Sequence, residues 1–258
     1  MDTFPKSILI TGASSGIGEA LAIEYAAPGI SLALSGRDED RLKSVAEQCK
    51  SLGAEVTHSV IDVAHQKNMS AWINAVDQAH PLDLVIANAG ISGGSGNNGE
   101  TEQQARKIFD VNLGGVMNTI WPAIDAMRTR KSGHIAVVSS TAALTPLPGA
   151  PAYSASKAAV KAYAESLNGA LKSDGITVTS ICPGFVESRI TNNNDFPMPF
   201  LMTAKKAAQI IRKGLDKGRP RHRISLFFPW PMATLSWLVG SLPPCVRRWV
   251  LLKAPKKK

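Results

Sequence analysis

The sequence is poor in cysteine, with only Cys49, Cys182 and Cys245 among its 258 residues. The three are widely spaced and form no C-x-x-C pair, which argues against a disulfide framework and against a thiolate metal site. The five histidines lack metal-ligand spacing, so no metal site is predicted. A low-complexity linker is also missing. We therefore predict a single domain in a reducing compartment.

Long uninterrupted hydrophobic runs are lacking as well. The first apolar segment starts at Ser7, which leaves no room for a basic region and an apolar signal core, so we expect no secretion signal. Residues 224–246 carry no charge, but four prolines divide this run. Because proline breaks helices, we reject a transmembrane helix here and predict two short amphipathic helices instead.

Acidic residues are absent after Asp216. Ten lysines and arginines follow that position, so the first 216 residues are close to neutral, although the whole chain has a net charge of +9. A neutral body with a basic tail argues against a general nucleic-acid-binding surface. The tail is expected either to contact anionic lipid or to be a solvated basic end. We predict a cytoplasmic protein, with peripheral contact at the inner face of a membrane as the open alternative.

What the sequence does contain is a strict alternation of strand and helix patterns. The strands are predicted at residues 7–10, 30–34, 55–60, 82–87, 134–139, 176–182 and 224–228. Such alternation calls for right-handed crossovers between parallel strands. The predicted fold class is α/β, a doubly wound, Rossmann-like parallel sheet with helices on both faces and ligand binding at the carboxyl ends of its strands. A long helix is predicted over residues 102–129, kinked or divided at Pro122.

A glycine-rich turn from Thr11 to Gly18 lies between the first predicted strand and the first predicted helix. Glycines let the backbone approach a pyrophosphate, and the N–H groups and positive dipole end of the following helix face the negative charge. The spacing of Gly12, Gly16 and Gly18 differs from the G-x-G-x-x-G dinucleotide fingerprint. By itself the turn therefore indicates either a phosphate-binding loop or a tight turn without a ligand.

Tyr153 and Lys157 lie four residues apart in an alanine-rich helix pattern. At this spacing they share one helix face, so the lysine ammonium can lower the pKa of the phenol from its usual value of about 10. The phenol would then serve as a general acid and base near neutral pH. Ser140 follows the fifth predicted strand and could donate a hydrogen bond to the same substrate oxygen. Taken alone, Tyr153 could equally be a partly buried aromatic residue.

The joint pattern resembles the short-chain dehydrogenase/reductase family, in its classical subgroup, over about residues 5–228. The motifs that carry the resemblance are the glycine turn, Asp62-Val63, Asn88-Ala89-Gly90, Asn112, Ser140, Tyr153, Lys157 and Pro183-Gly184. Their order and spacing along the chain are those of the family. The resemblance implies a seven-stranded sheet that binds a nicotinamide dinucleotide.

The resemblance also implies roles for individual residues. Tyr153 would be the general acid and base, and Lys157 would lower its pKa and hold the nicotinamide ribose. Ser140 would orient the substrate carbonyl, and Asn112 would keep a water molecule for a proton relay. The implied cofactor-binding residues are Gly12, Ser14, Ser15, Gly16, Ile17, Gly18, Arg37, Asp62, Val63, Asn88, Ala89, Gly90, Tyr153, Lys157, Pro183, Gly184 and Val186.

The end of the second predicted strand favours NADP(H) as the cofactor. Relatives that use NAD place a carboxylate there, whereas this chain has Gly36 followed by Arg37. A guanidinium matches a 2′-phosphate in both charge and geometry. We predict NADP(H), with Ser14 and Arg37 as phosphate contacts; the alternative is that Arg37 is an ordinary surface residue at a helix start.

Together these features predict an NADP(H)-dependent oxidoreductase that transfers hydride between the nicotinamide and a ketone or secondary alcohol. Residues 1–228 would form the cofactor-binding and catalytic domain, with a substrate loop at 185–202, and residues 229–258 an amphipathic extension. Apolar residues predict an apolar or lipid-like substrate; they are Leu144, Leu147, Phe185, Phe196, Met198 and Phe200. The alternatives are a catalytically silent dinucleotide-binding regulator and a sugar-nucleotide epimerase or dehydratase. The resemblance further implies a homo-oligomer, a dimer or tetramer, through the helices that carry Asn112 and Tyr153.

Overall fold

A seven-stranded parallel β-sheet forms the centre of the protein. The computed structural model describes residues 5–93, 100–192, 197–216 and 224–252. The strands are β1 (Ser7–Thr11), β2 (Ser31–Gly36), β3 (Glu55–Val60), β4 (Leu84–Ala87), β5 (Gly133–Val138), β6 (Ile176–Pro183) and β7 (Ser225–Phe228). They lie in the order β3-β2-β1-β4-β5-β6-β7, and every neighbouring pair is parallel. This confirms the doubly wound sheet predicted from the alternation of patterns.

Helices cover both faces of the sheet. They are α1 (Gly16–Tyr25), α2 (Glu39–Ser51), α3 (Gln66–Ala79), α4 (Glu102–Phe109), α5 (Gly115–Thr129), α6 (Pro151–Ala170), α7 (Arg189–Asn192), α8 (Ala204–Leu215), α9 (Trp230–Ser241) and α10 (Pro244–Leu252). Along β1, Ile8 and Ile10 pack in the core with α1, α2 and α8, whereas Leu9 packs in the core with α3, α5 and α6. Successive strand side chains point to opposite faces, so a strand buried on both faces reads as one continuous apolar run.

The strand order reverses at β1, which has β2 on one side and β4 on the other. In a doubly wound sheet such a reversal opens a crevice at the carboxyl ends of the two strands that meet there. The Thr11 hydroxyl oxygen accepts hydrogen bonds from the backbone N–H groups of Asn88 (3.1 Å) and Ala89 (3.2 Å). The Asn88 side-chain amide donates in return to the carbonyl oxygens of Thr11 (2.9 Å) and Gly12 (3.2 Å). These bonds fix the loop after β4 against the glycine turn after β1.

The helical region after residue 101 divides at a different place from the one predicted. A π-helical turn at Asp110–Gly114 separates α4 from α5, and α5 continues through Pro122 without interruption. Proline removes one backbone donor, and here the loss of that single hydrogen bond leaves the helix intact. A side chain at Gly115 would come within 2.5 Å of Val63, so the start of α5 packs unusually close to the loop after β3. The helical region is therefore divided at this π-helical turn and not at the proline.

The segment predicted as a substrate loop has some regular structure. Val186 forms a parallel bridge with Met202, and the four residues of α7 lie between them. Phe196 lies outside the described residues. After β7, α9 packs against that strand and against the short 3-10 turn at Thr141–Ala143. None of the helices in the described part of the chain has the length and apolar character needed to cross a bilayer.

Candidate active site

A cleft of about 610 Å³ lies at the carboxyl edge of the sheet, above β1, β2 and β4 to β6. All of the predicted cofactor-binding residues line it except Gly18. Of the four predicted catalytic residues, Ser140, Tyr153 and Lys157 line it, and Asn112 does not. Residues separated by more than 140 positions in the sequence therefore meet in one space, because parallel strands end at the same edge.

The glycine turn is shaped by contacts that a side chain would destroy. Gly12 and Gly16 have φ values of +66° and +60°, in the left-handed region that favours glycine. A side chain on Gly18 would lie 2.3 Å from the Gly12 carbonyl oxygen, so Gly18 is a packing residue behind the cleft wall. The Ser15 side chain does not cap α1, so N–H groups of the first helical turn stay available at the cleft. This cradle fits the pyrophosphate of a dinucleotide.

Ser140 and Tyr153 lie together at the ends of β5 and α6. Ser140 hydrogen-bonds with Tyr153, and its hydroxyl oxygen also accepts a hydrogen bond from the N–H of Ala142 (3.1 Å). The neighbouring Ser139 donates to the backbone carbonyl of Lys157 (2.7 Å) and so ties β5 to α6. Of the two adjacent serines, Ser140 is therefore the one beside the phenol, as the resemblance implied.

Lys157 is almost completely buried, and its ammonium donates to the carbonyl oxygen of Val138 (2.9 Å). Burial lowers the pKa of Lys157 to about 8. Burial raises the pKa of the Tyr153 phenol, and the hydrogen bond with Ser140 opposes that rise. The Lys157 nitrogen lies 5.8 Å from the centroid of the Tyr153 ring. Lys157 is not among the causes of the Tyr153 shift in this structure, so the lowering of the phenol pKa by this lysine stays a prediction.

Asn112 lies in the π-helical turn with its side chain fully buried. Its amide nitrogen donates to the Ile91 carbonyl (2.9 Å) and to the Ser156 hydroxyl (3.0 Å). Its amide oxygen accepts from the Ile91 N–H (2.8 Å). These bonds hold the loop after β4 against α6. The structure thus places the Asn112 side chain in a clamp behind the cleft, and the proton-relay role implied for it stays a prediction.

Two arginines and two aspartates line the cleft where β2 ends. Arg37 is half-exposed there, and its guanidinium lies 3.9 Å from the Asp62 carboxylate. Gly36 also lines the cleft, and its lack of a side chain avoids a close contact with Ser14. Arg41, in the first turn of α2, also lines the cleft and pairs with Asp38 at 2.6 Å. Within the described residues, the buried Nε of Arg41 has no hydrogen-bond partner.

Sequence reasoning missed Arg41 and Arg189 as cleft residues. Arg41 could have been found, because a helix that follows a parallel strand places its first turn at the carboxyl edge. Arg189 lies in a segment without hydrophobic periodicity, where no pattern fixes the direction of a side chain.

None of the described apolar residues expected around the substrate lines the cleft. Leu147 instead lines a second cavity of about 520 Å³ under α10. Phe200 is exposed, with φ at +59°. A side chain at Gly184, which does line the cleft, would lie 3.1 Å from Met232 and 3.2 Å from Pro229, so the start of α9 packs against the loop after β6. The apolar character of the substrate stays a prediction.

Comparison with known proteins identifies the family. Residues 6–197 match the model of the short chain dehydrogenase family. The chain belongs to this family. An uncharacterized oxidoreductase from Myxococcus xanthus is 37% identical over 239 residues, which cover 92% of this chain and 93% of that protein. The 11-beta-hydroxysteroid dehydrogenase-like 2 protein of Arabidopsis thaliana is 36% identical, with coverage of 83% of this chain and 71% of that protein.

Solved structures of short-chain dehydrogenases agree in fold. A 3-ketoacyl-ACP reductase from Sinorhizobium meliloti is 28% identical, with a TM-score of 0.79 over 89% of this chain and 99% of that one. A dehydrogenase from Mycobacterium paratuberculosis bound to NAD has a TM-score of 0.79, with 20% identity and coverage of 89% and 98%. L-Sorbose reductase from Gluconobacter frateurii, complexed with NADPH and L-sorbose, has a TM-score of 0.77, with 24% identity and coverage of 88% and 97%. The protein is therefore an oxidoreductase of a family whose fold binds a nicotinamide dinucleotide, in either form.

The burial of Lys157 leads to a prediction about stability. The unfolded chain keeps the lysine proton up to about pH 10.5, whereas the folded protein releases it near pH 8. Because the unfolded state binds more protons between these values, this lysine makes stability rise with pH. Relative to Lys157→Met, the wild type should gain about 2 kcal/mol in free energy of unfolding between pH 8 and pH 10.

The measurement is urea unfolding of both proteins at several pH values from 7 to 10. The range stops at 10 because Tyr153, whose pKa is raised in the folded state, makes stability fall above its ordinary pKa. Parallel curves of unfolding free energy against pH for the two proteins would contradict a lowered pKa of Lys157 in the folded state.

Proposed function

We propose that the protein is an NADP(H)-dependent oxidoreductase that transfers hydride between the nicotinamide and an apolar ketone or secondary alcohol. The observation that carries the proposal is that Ser140, Tyr153 and Lys157 line the same cleft as the glycine turn. The turn would hold the pyrophosphate of a dinucleotide, and the three side chains lie in the same cleft, where they could act on a substrate beside its nicotinamide. The same three residues disfavour a catalytically silent regulator, and the family match disfavours a sugar-nucleotide epimerase.

The bound nicotinamide supplies the hydride for reduction or accepts it in the reverse direction. When a ketone is reduced, its carbon gains the hydride and its oxygen needs one proton. The Tyr153 hydroxyl donates this proton, because a phenol, whose ordinary pKa is about 10, carries its proton near neutral pH. The Ser140 hydroxyl holds the substrate oxygen by a hydrogen bond. Lys157, protonated up to about pH 8, places a positive charge near the tyrosinate that forms.

The preference for NADP(H) is supported by the charges around the end of β2. A 2′-phosphate there would lie near the guanidinium groups of Arg37 and Arg41, and the unpartnered Arg41 Nε offers a donor. Arg189 lines the same cleft and adds a third positive charge. Gly36 occupies the end of β2, where a carboxylate side chain would have repelled the 2′-phosphate. Asp38 and Asp62 are each paired with an arginine, so their charges are partly offset.

The preference for an apolar substrate is supported by the packing of α9 beside Gly184, a residue of the cleft. Met232 and Pro229 approach Gly184 there, and neither side chain carries a charge or a strong hydrogen-bonding group. Two relatives are named for hydroxysteroid and 3-ketoacyl substrates, both of which carry a ketone or secondary alcohol on an apolar body. We extend that substrate class to this chain.

Association of copies of the chain is part of the proposal. The large side chains of Phe109, Met117 and Trp121 are exposed along α4 and α5. Apolar side chains exposed together on a helix pair are suited to a partner surface. A dimer or tetramer through α5 and α6 stays a prediction.

The cofactor preference predicts the effect of removing two arginines. The Arg37→Ala and Arg41→Ala double variant should raise KM for NADPH by about tenfold or more, since each charge-assisted hydrogen bond to a phosphate is lost. KM for NADH should hardly change. Steady-state kinetics with both cofactors provide the measurement, and Arg106→Ala, in an exposed ion pair on α4, is the matched control. An unchanged ratio of the two KM values would overturn the assignment of NADP(H).

The substrate class predicts a trend with chain length. Along a series of 2-alkanones, kcat/KM should rise by up to about fourfold for each added CH₂ group that the cleft buries. The measurement is NADPH consumption at a fixed cofactor concentration. A flat series, together with faster turnover of small charged ketones, would contradict an apolar substrate.

A further inference from the structure

The outward sides of α9 and α10 form an exposed apolar surface, which we call the tail face. It consists of Trp230, Leu235, Trp237, Leu238, Val246, Trp249 and Leu252. Trp230 and Trp249 are 77% and 62% exposed, and Leu252 is 65% exposed. Exposure of so many large apolar side chains on two successive helices marks an interaction surface.

The tail face is exposed although α9 itself is firmly packed. Ala233 and Ser236 on its inner side are buried, and the Ser236 carbonyl accepts a hydrogen bond from the Thr145 hydroxyl. A side chain at Gly240 would lie 2.0 Å from the Leu144 carbonyl oxygen, so the helix backbone rests directly on the turn after β5. The inner side therefore fixes the orientation of α9 and turns its tryptophans outward.

The polar groups on the outward side of α9 do not need water. The Thr234 hydroxyl donates to the Trp230 carbonyl (2.9 Å), and the Ser241 hydroxyl donates to the Trp237 carbonyl (2.8 Å). Such bonds to the carbonyl four residues earlier satisfy a hydroxyl within the helix itself. Residues 224–246 contain no charged side chain. The outward side of α9 can therefore enter an apolar medium at little cost in lost hydrogen bonds.

The charged residues of α10 are both arginines. Arg247 donates to the Gly240 carbonyl (2.9 Å), which places a guanidinium at the junction of the two helices, and Arg248 is exposed on α10. The sequence continues with four more lysines and has no acidic residue after Asp216. Tryptophan and leucine bordered by arginine and lysine are typical of helices that lie in the interface of an anionic membrane.

We propose that the tail face docks on an anionic lipid bilayer, with α9 and α10 lying in the plane of the interface. The apolar side chains enter the boundary between headgroups and acyl chains, and the arginines and lysines contact the lipid phosphates. The helices lie on the membrane and do not span it. This docking does not depend on the proposed oxidoreductase activity, although α9 also packs beside Gly184, a residue of the cleft.

The test is sedimentation of the full chain with vesicles. Vesicles of phosphatidylcholine with about 30 mol% phosphatidylserine should pellet the wild type at low salt, and vesicles of phosphatidylcholine alone should pellet much less. The Trp237→Glu and Leu238→Glu double variant should lower the partition coefficient by about tenfold or more, because it puts charge into the apolar layer. Trp230→Glu, about two turns away, should act in the same direction.

Matched controls separate the tail face from general effects of charge. Leu52→Glu places the same charge on a similarly exposed leucine at the far end of α2, and it should pellet like the wild type. Arg248→Glu should weaken pelleting and its dependence on salt, whereas Lys43→Glu, on α2, should not. Thermal unfolding of each variant checks that it is folded.

Three results would overturn the proposal. The first is a wild type that stays in the supernatant with anionic vesicles at low salt. The second is pelleting of the Trp237→Glu and Leu238→Glu variant equal to that of Leu52→Glu. The third is a change in oligomer mass, by light scattering, caused by the tail-face variants alone without any change in pelleting, which would make the face a contact between copies. Sedimentation does not depend on turnover, so failure of the proposed activity would leave this result intact.

Discussion

Everything at the site depends on the hydrogen bonds that join Thr11 to the Asn88 loop across the crevice. The two residues lie 77 positions apart, yet one hydroxyl and one amide account for four bonds between them and their neighbours. They hold the loop after β4 against the glycine turn, and Asn112 clamps the far side of the same loop to α6. The glycine turn and α6, the helix that carries Tyr153 and Lys157, are thereby both held by the loop after β4, at the point where the strand order reverses.

Burial shifts the pKa values of Tyr153 and Lys157. It raises the pKa of Tyr153 and lowers that of Lys157, so both changes favour the uncharged forms. A phenol that keeps its proton suits the role of an acid toward a carbonyl oxygen. A lysine that is charged below about pH 8 can stabilise the anion left behind. The two residues therefore have complementary roles in the account even though Lys157 does not lower the phenol pKa directly in this structure.

The sequence was enough to predict the elements that depend on periodicity and spacing. The seven strands followed from apolar runs such as residues 7–10, and the carboxyl-edge rule brought the glycine turn, Ser140 and Tyr153 to one place. The π-helical turn at Asp110–Gly114 was not predictable from the proline at position 122, because α5 continues through that residue. The orientation of Arg189 and the extent to which burial shifts the pKa of Tyr153 likewise depend on three-dimensional surroundings that no local pattern records.

The central claim is that Tyr153 protonates the substrate oxygen while hydride reaches the adjacent carbon. The most direct measurement uses NADPH with deuterium at C4 of the nicotinamide, an apolar 2-alkanone and a single turnover, with the product analysed by mass spectrometry. The wild type should give an alcohol with one deuterium on the carbinol carbon. Tyr153→Phe should bind NADPH as tightly and transfer almost no label. Undiminished transfer of deuterium by Tyr153→Phe would contradict the account.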